Sequence, residues 1–144
     1  MQRKVLFIVR GVPGSGKTTF CQNELIPQCR ESLGVNVVNR EADDYFVGSD
    51  GVYRWDPTKL AEAHAACQQH VREDLLRDGV AIVSNTSVRL EHLEPYFDMA
   101  RQLEADVIVI RLEHRFANVH GVPEQAVERM AASMEPYAGE LIFK

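Results

Sequence analysis

Apolar residues along the chain form short continuous runs, which alternate with longer stretches where apolar positions recur every three to four residues. The continuous runs have strand length and many β-branched residues, and they cover residues 4–10, 35–39, 80–84 and 105–112. The helical stretches cover residues 17–25 with a second part to 32 beyond Pro27, 58–77, 91–103 and 123–135. Residues 137–144 can add a short terminal strand.

This alternation predicts the fold class. Strands that alternate with helices indicate a three-layer α/β fold, with a mostly parallel sheet of four to five strands and helices on both faces. The run at 80–84 is apolar on both faces, as a parallel strand covered by two helical layers requires. A chain of 144 residues can bury a real core, so we expect residues 1–144 to form a single domain.

The glycine-rich break after the first strand carries the clearest chemical signal. Residues 11–18 read Gly-Val-Pro-Gly-Ser-Gly-Lys-Thr and match the phosphate-binding pattern G-x-x-x-x-G-K-[ST] without a gap. A predicted strand precedes the motif and a predicted helix follows it, which is the context that the motif needs. The sequence therefore predicts a phosphate-binding loop, or P-loop, for a nucleoside triphosphate such as ATP.

The backbone and two side chains of this loop explain the expected chemistry. Its glycines let successive peptide N–H groups point into one concave nest, and the start of the following helix adds positive potential. Lys17 is expected to neutralise the β- and γ-phosphates, and the Thr18 hydroxyl is expected to bind Mg²⁺. The predicted nucleotide-binding residues are Gly11, Pro13, Gly14, Ser15, Gly16, Lys17, Thr18 and Thr19.

Polar residues that follow the second and third strands are expected to face the nucleotide, because open α/β sheets bind ligands at the carboxyl ends of their strands. Asp43 is the candidate general base for an attacking hydroxyl and, with Thr18, a candidate metal ligand. Asp44 can hold metal-bound water or support Asp43. The predicted substrate-side residues are Arg40, Asp44, Asn85 and Thr86. The alternative for the acidic pair is a solvated turn or a helix N-cap.

Positive charge is needed to stabilise the transition state of phosphoryl transfer. Arg115 is the preferred candidate, because it lies in the irregular segment 113–121, which could close as a lid. The other candidates are Arg40, Arg89, Arg111 and Arg129, and each could equally be a solvated surface residue. Tyr53 and Trp55 could stack on a base or equally pack beneath their loop. His64 falls on an apolar helical stripe and is interpreted as a packed residue.

Composition and charge restrict the classes of partner and the cellular location that we expect for this protein. The net charge is −5 and no lysine or arginine tract occurs, which argues against wrapping a long nucleic acid but allows a local grip on a short end. Cys21, Cys29 and Cys67 lack metal-site spacing, and such a sparse, odd set indicates reduced thiols in a cytoplasmic protein. No apolar run approaches the roughly 18 residues of a membrane span, and we expect no secretion signal.

These motifs together resemble the kinase domain of phage-type 5′-polynucleotide kinases. The shared features are the P-loop, Asn39-Arg40 followed by Asp43-Asp44-Tyr45, and Ser84-Asn85-Thr86. A closer similarity is to small P-loop proteins of that kinase-like group, often described only as ATP-binding or AAA-type ATPases. This similarity spans Val5 to Tyr137 and rests on residues 42–46, Tyr53-x-Trp55-Asp56, Ala63-His64 and 118–123.

The resemblance implies a P-loop NTPase fold with Lys17 and Thr18 on the donor phosphates and Mg²⁺. It also implies Asp43 as general base for a 5′-hydroxyl and a lid arginine near Arg115. Two positions differ from the polynucleotide kinases: Phe46 replaces an arginine that grips an acceptor phosphate, and Asn85 replaces an aspartate. Three functions stay open: a nucleic-acid 5′-hydroxyl kinase, a kinase for a nucleoside, nucleotide or other small molecule, and an ATP-dependent switch without efficient transfer.

Overall fold

The computed structural model describes residues 3–116 and 121–144, and it is built around one five-stranded sheet. The strands are β1 (Lys4–Arg10), β2 (Asn39–Arg40), β3 (Val80–Asn85), β4 (Ala105–Leu112) and β5 (Leu141–Phe143). Their spatial order is β2-β3-β1-β4-β5, and all neighbouring pairs are parallel. Because β1 is the central strand, the loop that follows it opens at the middle of the carboxyl edge.

Five α-helices are present in the described ranges. They are α1 (Lys17–Phe20), α2 (Ile26–Leu33), α3 (Leu60–Asp78), α4 (Glu94–Leu103) and α5 (Glu124–Ser133). Pro27 lies in the first turn of α2, where a missing N–H is tolerated. The segment Cys21–Leu25 between α1 and α2 is π-helical, since Pro27 cannot donate a hydrogen bond to the preceding turn. The sequence correctly predicted two helical parts around this proline.

The two faces of the sheet are covered by different helices. Leu6 and Ile8 of β1 belong to a buried apolar cluster with residues of α3 and α4. Val9, the next residue, belongs to a second cluster, which includes Cys29 of α2. Successive strand residues point to opposite faces, so one central strand serves both layers. The predicted three-layer α/β fold with a parallel sheet is thus confirmed. None of the helices described is long and apolar enough to cross a membrane.

The second strand is shorter than predicted and begins later. The apolar run 35–39 predicted a strand, but only Asn39 and Arg40 pair with β3. Val37 is nevertheless buried in the second apolar cluster. Burial of a side chain produces a strand-like sequence pattern without requiring that the backbone pair with a neighbour, and this explains the difference.

Two helices also begin later than their sequence patterns predicted. A 3₁₀ turn, Pro57–Lys59, precedes α3, and a second one, Leu90–His92, precedes α4. The carboxylate of Asp56 accepts a hydrogen bond from the Thr58 amide at 3.0 Å and so caps the first of these turns. The apolar periodicity continues through a 3₁₀ turn into the helix, so it does not mark the first α-helical residue.

A buried arginine holds the end of β1, where the P-loop begins. The Arg10 side chain is fully buried, and its guanidinium donates to the carbonyls of Ser87, Val88 and Glu135 at 2.7–3.1 Å. It also forms an ion pair with the buried Glu140 at 3.2 Å. Burial lowers the pKa of Arg10, and the charge of Glu140 opposes this effect. Arg10 therefore ties β1 to the segment after β3 and to the segment that leads into β5.

Candidate functional site

A cavity of about 1070 Å³ lies at the carboxyl edge of the sheet. Its walls come from the P-loop and from the segments that follow β2 and β3, and they include residues 13–19, 41–43 and 84–86. Because β2, β3 and β1 are neighbours, the three strand ends converge on one space. The structure therefore brings Asp43, Asn85 and Thr86 together with the predicted nucleotide-binding loop.

The shape of the P-loop depends on glycines. Gly14 and Gly16 have φ values of 82° and 86°, in the left-handed region that favours glycine. At Gly11, a Cβ would lie 2.4 Å from the Ser15 hydroxyl oxygen and 2.9 Å from the Leu112 carbonyl, so no side chain fits there. The Ser15 hydroxyl is buried and has no hydrogen-bond partner among the described residues. Such an orphaned group fits a loop built to receive a ligand.

Lys17 lies folded against its own loop. Its ammonium donates to the carbonyls of Gly11 and Val12 at 2.8 and 3.0 Å. Burial lowers the pKa of Lys17 to about 8, although the nearby carboxylates of Glu41 and Asp43 act in the opposite direction. The lysine thus carries a charge that is costly to bury, and a polyphosphate beside it would stabilise that charge.

Glu41 is a site residue that the sequence analysis did not select. Its two carboxylate oxygens accept the Thr18 hydroxyl hydrogen bond at 3.1 and 3.3 Å. Burial raises the pKa of Glu41, and the neighbouring Asp44 raises it further. Glu41 directly follows β2, so the argument from strand ends that selected Asp43 applied equally to it.

Asp43 lies on a 3₁₀ turn, Ala42–Phe46, that is held on both sides. The Ala42 amide donates to the Asn85 side-chain carbonyl at 2.9 Å. The Tyr53 hydroxyl is hydrogen-bonded to Asp43, and burial together with this carboxylate raises the pKa of Tyr53. Asn85, which replaces an aspartate of the polynucleotide kinases, is therefore placed to position the turn that carries Asp43.

Asp44 and Thr86 have structural contacts of their own. The Asp44 carboxylate accepts a hydrogen bond from the Glu41 amide at 3.2 Å, so Glu41 is the N-cap of the turn and Asp44 is its partner in a capping box. Burial raises the pKa of Asp44. The Thr86 carbonyl accepts a hydrogen bond from the Gly11 amide at 3.3 Å and so fixes the first residue of the P-loop.

No arginine is among the described residues that line the cavity. Arg40 forms a two-pronged ion pair with Asp74 of α3, at 2.8 and 2.9 Å, which engages its guanidinium away from the cavity. Arg115 lies 3.9 Å from Glu128 of α5, while its neighbours His114 and Phe116 line the cavity. Neither Arg40 nor Arg115 therefore contacts the cavity in which its predicted role would be performed. Asn118 and His120, which carry part of the resemblance, lie outside the described residues.

Aromatic groups also border the cavity. Trp55 is 57% exposed, so it does not pack beneath its loop. His64 is exposed on the cavity wall, which corrects its interpretation as a packed residue. The partial desolvation of its imidazole and the charge of His92 lower the pKa of His64, and the charge of Asp43 opposes this. The Phe116 amide donates to the Gly14 carbonyl at 2.6 Å, and its ring lies 3.2 Å from where a Gly16 Cβ would be.

The oxygen groups of the site suit Mg²⁺ better than a metal that needs a protein cage. Within the described ranges, no cluster of three or more His, Cys, Asp or Glu side chains is arranged to hold a metal. Mg²⁺ usually keeps several waters and takes one or two protein oxygens together with phosphate oxygens. The Thr18 hydroxyl and the Glu41 carboxylate, already in contact, provide such a pair.

Two curated relatives illustrate how widely this sequence pattern occurs. An uncharacterized protein of Pasteurella multocida (strain Pm70) is 26% identical over an alignment of 149 positions, and the alignment covers 97% of this chain and 83% of that protein. A 2′,3′-cyclic-nucleotide 3′-phosphodiesterase of Pongo abelii is 32% identical over 108 residues, which cover 74% of this chain. The match spans only 24% of the phosphodiesterase, so the chain corresponds to about a quarter of that enzyme.

Solved structures with the same fold include several kinases. A chain of the Pnkp1/Rnl/Hen1 RNA repair complex has a TM-score of 0.68 and 19% identity, with 93% of this chain and 45% of that chain covered. The Mycobacterium tuberculosis APS kinase CysC, in complex with AMPPNP and APS, has a TM-score of 0.56 and 19% identity, with 90% and 69% covered. A gluconokinase from Sinorhizobium meliloti 1021 has a TM-score of 0.60 and 12% identity, with 98% and 83% covered.

At sequence identities this low, the similarity to the solved structures shows the fold alone. That fold is the kinase-like P-loop α/β fold expected from the sequence. The family is shown by a separate comparison, in which the model of the AAA domain family matches residues 6–137. The resemblance to small P-loop proteins is therefore confirmed, and the chain belongs to the AAA domain family.

Proposed function

We propose that this protein is a Mg²⁺-dependent kinase that transfers the γ-phosphate of ATP to the 5′-hydroxyl of a nucleic acid. The observation that carries the proposal is the meeting of Lys17, Thr18 and Asp43 in one cavity. A phosphate clamp, a metal-binding hydroxyl and a carboxylate for the acceptor are the parts that phosphoryl transfer needs. The kinases among the structures of similar fold support the same reaction class.

Each residue has a distinct task in this proposal. The P-loop amides and Lys17 hold the β- and γ-phosphates, and Lys17 leaves the Gly11 and Val12 carbonyls to do so. The oxygen of the acceptor hydroxyl bonds to the γ-phosphorus, and the bond between that phosphorus and the β-γ bridging oxygen breaks. Asp43 accepts the proton that the hydroxyl loses. Tyr53 and the turn anchored by Asn85 keep the Asp43 carboxylate in place.

Thr18 and Glu41 would hold Mg²⁺, with Asp43 as a further candidate ligand. When bound, the metal would neutralise charge on the donor phosphates. Glu41 contributes either a direct oxygen ligand or an acceptor for metal-bound water, because both of its oxygens already face the Thr18 hydroxyl. The proposal also includes a single kinase domain over residues 1–144. It further includes a cytoplasmic location, which the three free cysteines support.

A small-molecule acceptor is the second candidate. Phe46 provides no charge where polynucleotide kinases grip an acceptor phosphate, and the net charge of −5 does not attract nucleic acid in general. The fold is also that of an APS kinase and a gluconokinase. A nucleotide-dependent switch without transfer is the third candidate, and the position of Asp43 beside Lys17 argues against it.

One assay separates the three functions. The protein is incubated with γ-labelled ATP, Mg²⁺ and one of three acceptors: a 5′-hydroxyl oligonucleotide, a nucleoside mixture or water alone. Label on the oligonucleotide supports our proposal, and label on the nucleosides alone supports the second candidate. ATP binding without transfer to any acceptor supports the switch and contradicts both kinase functions.

Substitution of Asp43 tests the mechanism directly. We expect Asp43→Asn to keep ATP affinity nearly intact and to lower transfer about 10²-fold or more, because the variant loses the general base. Lys17→Ala is expected to weaken both ATP binding and transfer. Asp106→Asn is a matched control, since this exposed carboxylate pairs with Arg3 outside the site and should leave transfer unchanged. Unchanged turnover in Asp43→Asn would remove this residue from the mechanism.

A further inference from the structure

A second, smaller cavity of about 480 Å³ lies beside the turn that carries Asp43. Three aromatic side chains, Tyr45, Phe46 and Trp55, line it together with the cations Arg54 and Lys59. Trp55 also lines the larger cavity, so its indole borders both spaces. An acceptor bound in the smaller cavity would therefore lie next to the space where Asp43 and the donor phosphates meet.

The segment that carries Trp55 is well held by its backbone. Val47 and Tyr53 form an antiparallel bridge, and the Arg54 amide donates to the Phe46 carbonyl at 2.8 Å. Asp56 follows directly and caps the turn that leads into α3. A large apolar side chain that is 57% exposed on such an ordered segment is a ready surface for stacking, because little conformational entropy is lost when a ligand covers it.

The same segment links the smaller cavity to the proposed base. Tyr53 is hydrogen-bonded to Asp43, and its ring packs edge-on against Phe46 at 6.3 Å. Tyr45 also packs edge-on against Phe46, with a distance of 5.8 Å between the ring centroids. Phe46 is thus a buried support for the aromatic wall, and the positive charges of this region come from Arg54 and Lys59 instead.

The two cations can meet an anion without large cost. Arg54 pairs with Asp50 at 2.8 Å, but both side chains are more than half exposed, so water readily replaces this pair. The Asp56 carboxylate accepts hydrogen bonds from the Thr58 amide and hydroxyl, which lower the pKa of Asp56. Asp56, the acid that lines this cavity, is therefore already engaged by Thr58.

We propose that the smaller cavity is an acceptor subsite, in which Trp55 stacks on the nucleobase of a 5′-hydroxyl nucleotide and Arg54 and Lys59 contact the phosphate on its 3′ side. This inference rests on the proposed function, and it names what the acceptor must carry: a base and an adjacent phosphate. An aromatic face takes any base, so the subsite recognises the end of a strand without strong sequence preference.

The test uses Trp55 as its own probe, because it is the only tryptophan of the chain. The protein is first saturated with a non-hydrolysable ATP analogue and Mg²⁺, and its fluorescence is followed as a 5′-hydroxyl dinucleotide is added. We expect saturable quenching by the dinucleotide. An abasic phosphodiester of the same charge and a nucleoside without phosphate should each bind with an affinity at least about tenfold lower than that of the dinucleotide, since each lacks one of the two contacts.

Variants then assign the contacts. Arg54→Gln should weaken dinucleotide binding severalfold and leave nucleoside binding unchanged. Arg101→Gln is the matched control, because Arg101 is an exposed arginine paired with Asp98 on α4, and it should change neither. In the transfer assay, Trp55→Leu should raise the oligonucleotide KM about tenfold with little change in the KM for ATP.

The outcomes separate this inference from the proposed function. Quenching by the dinucleotide without any transfer would support the subsite and contradict the kinase function. Transfer to oligonucleotides that neither quenches Trp55 nor depends on it would overturn the subsite and leave the kinase function standing. Equal binding of the abasic phosphodiester, or a Trp55→Leu effect on the KM for ATP alone, would also overturn the subsite.

Discussion

ATP affinity is expected to fall as the pH rises from 7 to 9, because Lys17 loses its proton in the empty protein within this range. Its buried ammonium has a pKa of about 8 rather than the usual 10.5. About nine-tenths of the molecules therefore carry a charged Lys17 at pH 7, and about one-tenth at pH 9. A bound triphosphate favours the charged form, so ATP binding at pH 9 must include the uptake of a proton.

The size of the effect follows from these fractions. If only the protein with a charged Lys17 binds ATP well, the apparent Kd rises about tenfold between pH 7 and pH 9, or about 1.4 kcal/mol. A lysine with the ordinary pKa would change the Kd by only a few per cent over the same range. His64 and Cys21 do not account for such a change, because the pKa of His64 is lowered from 6.5 and that of Cys21 is raised to about 12.

Isothermal titration calorimetry with Mg·ATP at pH 7, 8 and 9 measures both the Kd and the proton uptake. Buffers of different ionisation enthalpy should show about 0.1 proton taken up at pH 7 and about 0.9 at pH 9. Lys17→Met serves as the control, because it should bind weakly with no dependence on pH in this range. An affinity of the native protein that stays flat from pH 7 to pH 9 would refute the reasoning.

Two further predictions concern buried charges. Arg10→Met should destabilise the protein by about 3–5 kcal/mol in urea unfolding, since it removes the hydrogen bonds to three carbonyls and leaves the buried Glu140 with the weaker 3.5 Å ion pair to Arg111. The exposed Arg3→Met is the control, and a loss below about 1 kcal/mol would contradict the structure. Glu41→Gln should raise the Mg²⁺ concentration for half-maximal ATP binding about tenfold and strengthen the binding of metal-free ATP. Both effects are measured by calorimetry, and Glu73→Gln is the control variant. An unchanged Mg²⁺ requirement would exclude Glu41 from the metal site.

The elements of the fold were predictable where burial and backbone pairing coincide. The strand at Ala105–Leu112 was predicted at its observed limits, because every part of it is paired within the sheet. The run at 35–39 predicted a longer strand than the structure shows, since Val37 is buried without pairing and the strand begins only at Asn39. The pattern of apolar residues reports which side chains are buried. It predicts a strand only where a neighbouring strand is also available for backbone pairing.

The site was predictable as far as the chain order of strands fixes it. The P-loop and Asp43 could be placed together because each follows a strand of one parallel sheet. Glu41 was not selected although the strand-end argument applied to it, because its contact with Thr18 depends on the conformation of the turn after β2. The ion pair between Arg40 and Asp74 could not be predicted from the sequence either, since it depends on how α3 packs on the sheet.

The charges of the cavity indicate that the proposed transfer would need an additional cation. Lys17 contributes one positive charge, whereas Glu24, Glu41 and Asp43 contribute three carboxylates, and none of the arginines in the described ranges lines the space. A triphosphate would be repelled by this arrangement unless Mg²⁺ accompanied it. The ion pair that Arg115 forms with Glu128, at 3.9 Å, stabilises its present position by about 1 kcal/mol or less. The developing charge of a bound γ-phosphate attracts a guanidinium more strongly than this, so the predicted role of Arg115 requires it to leave Glu128 once nucleotide is bound.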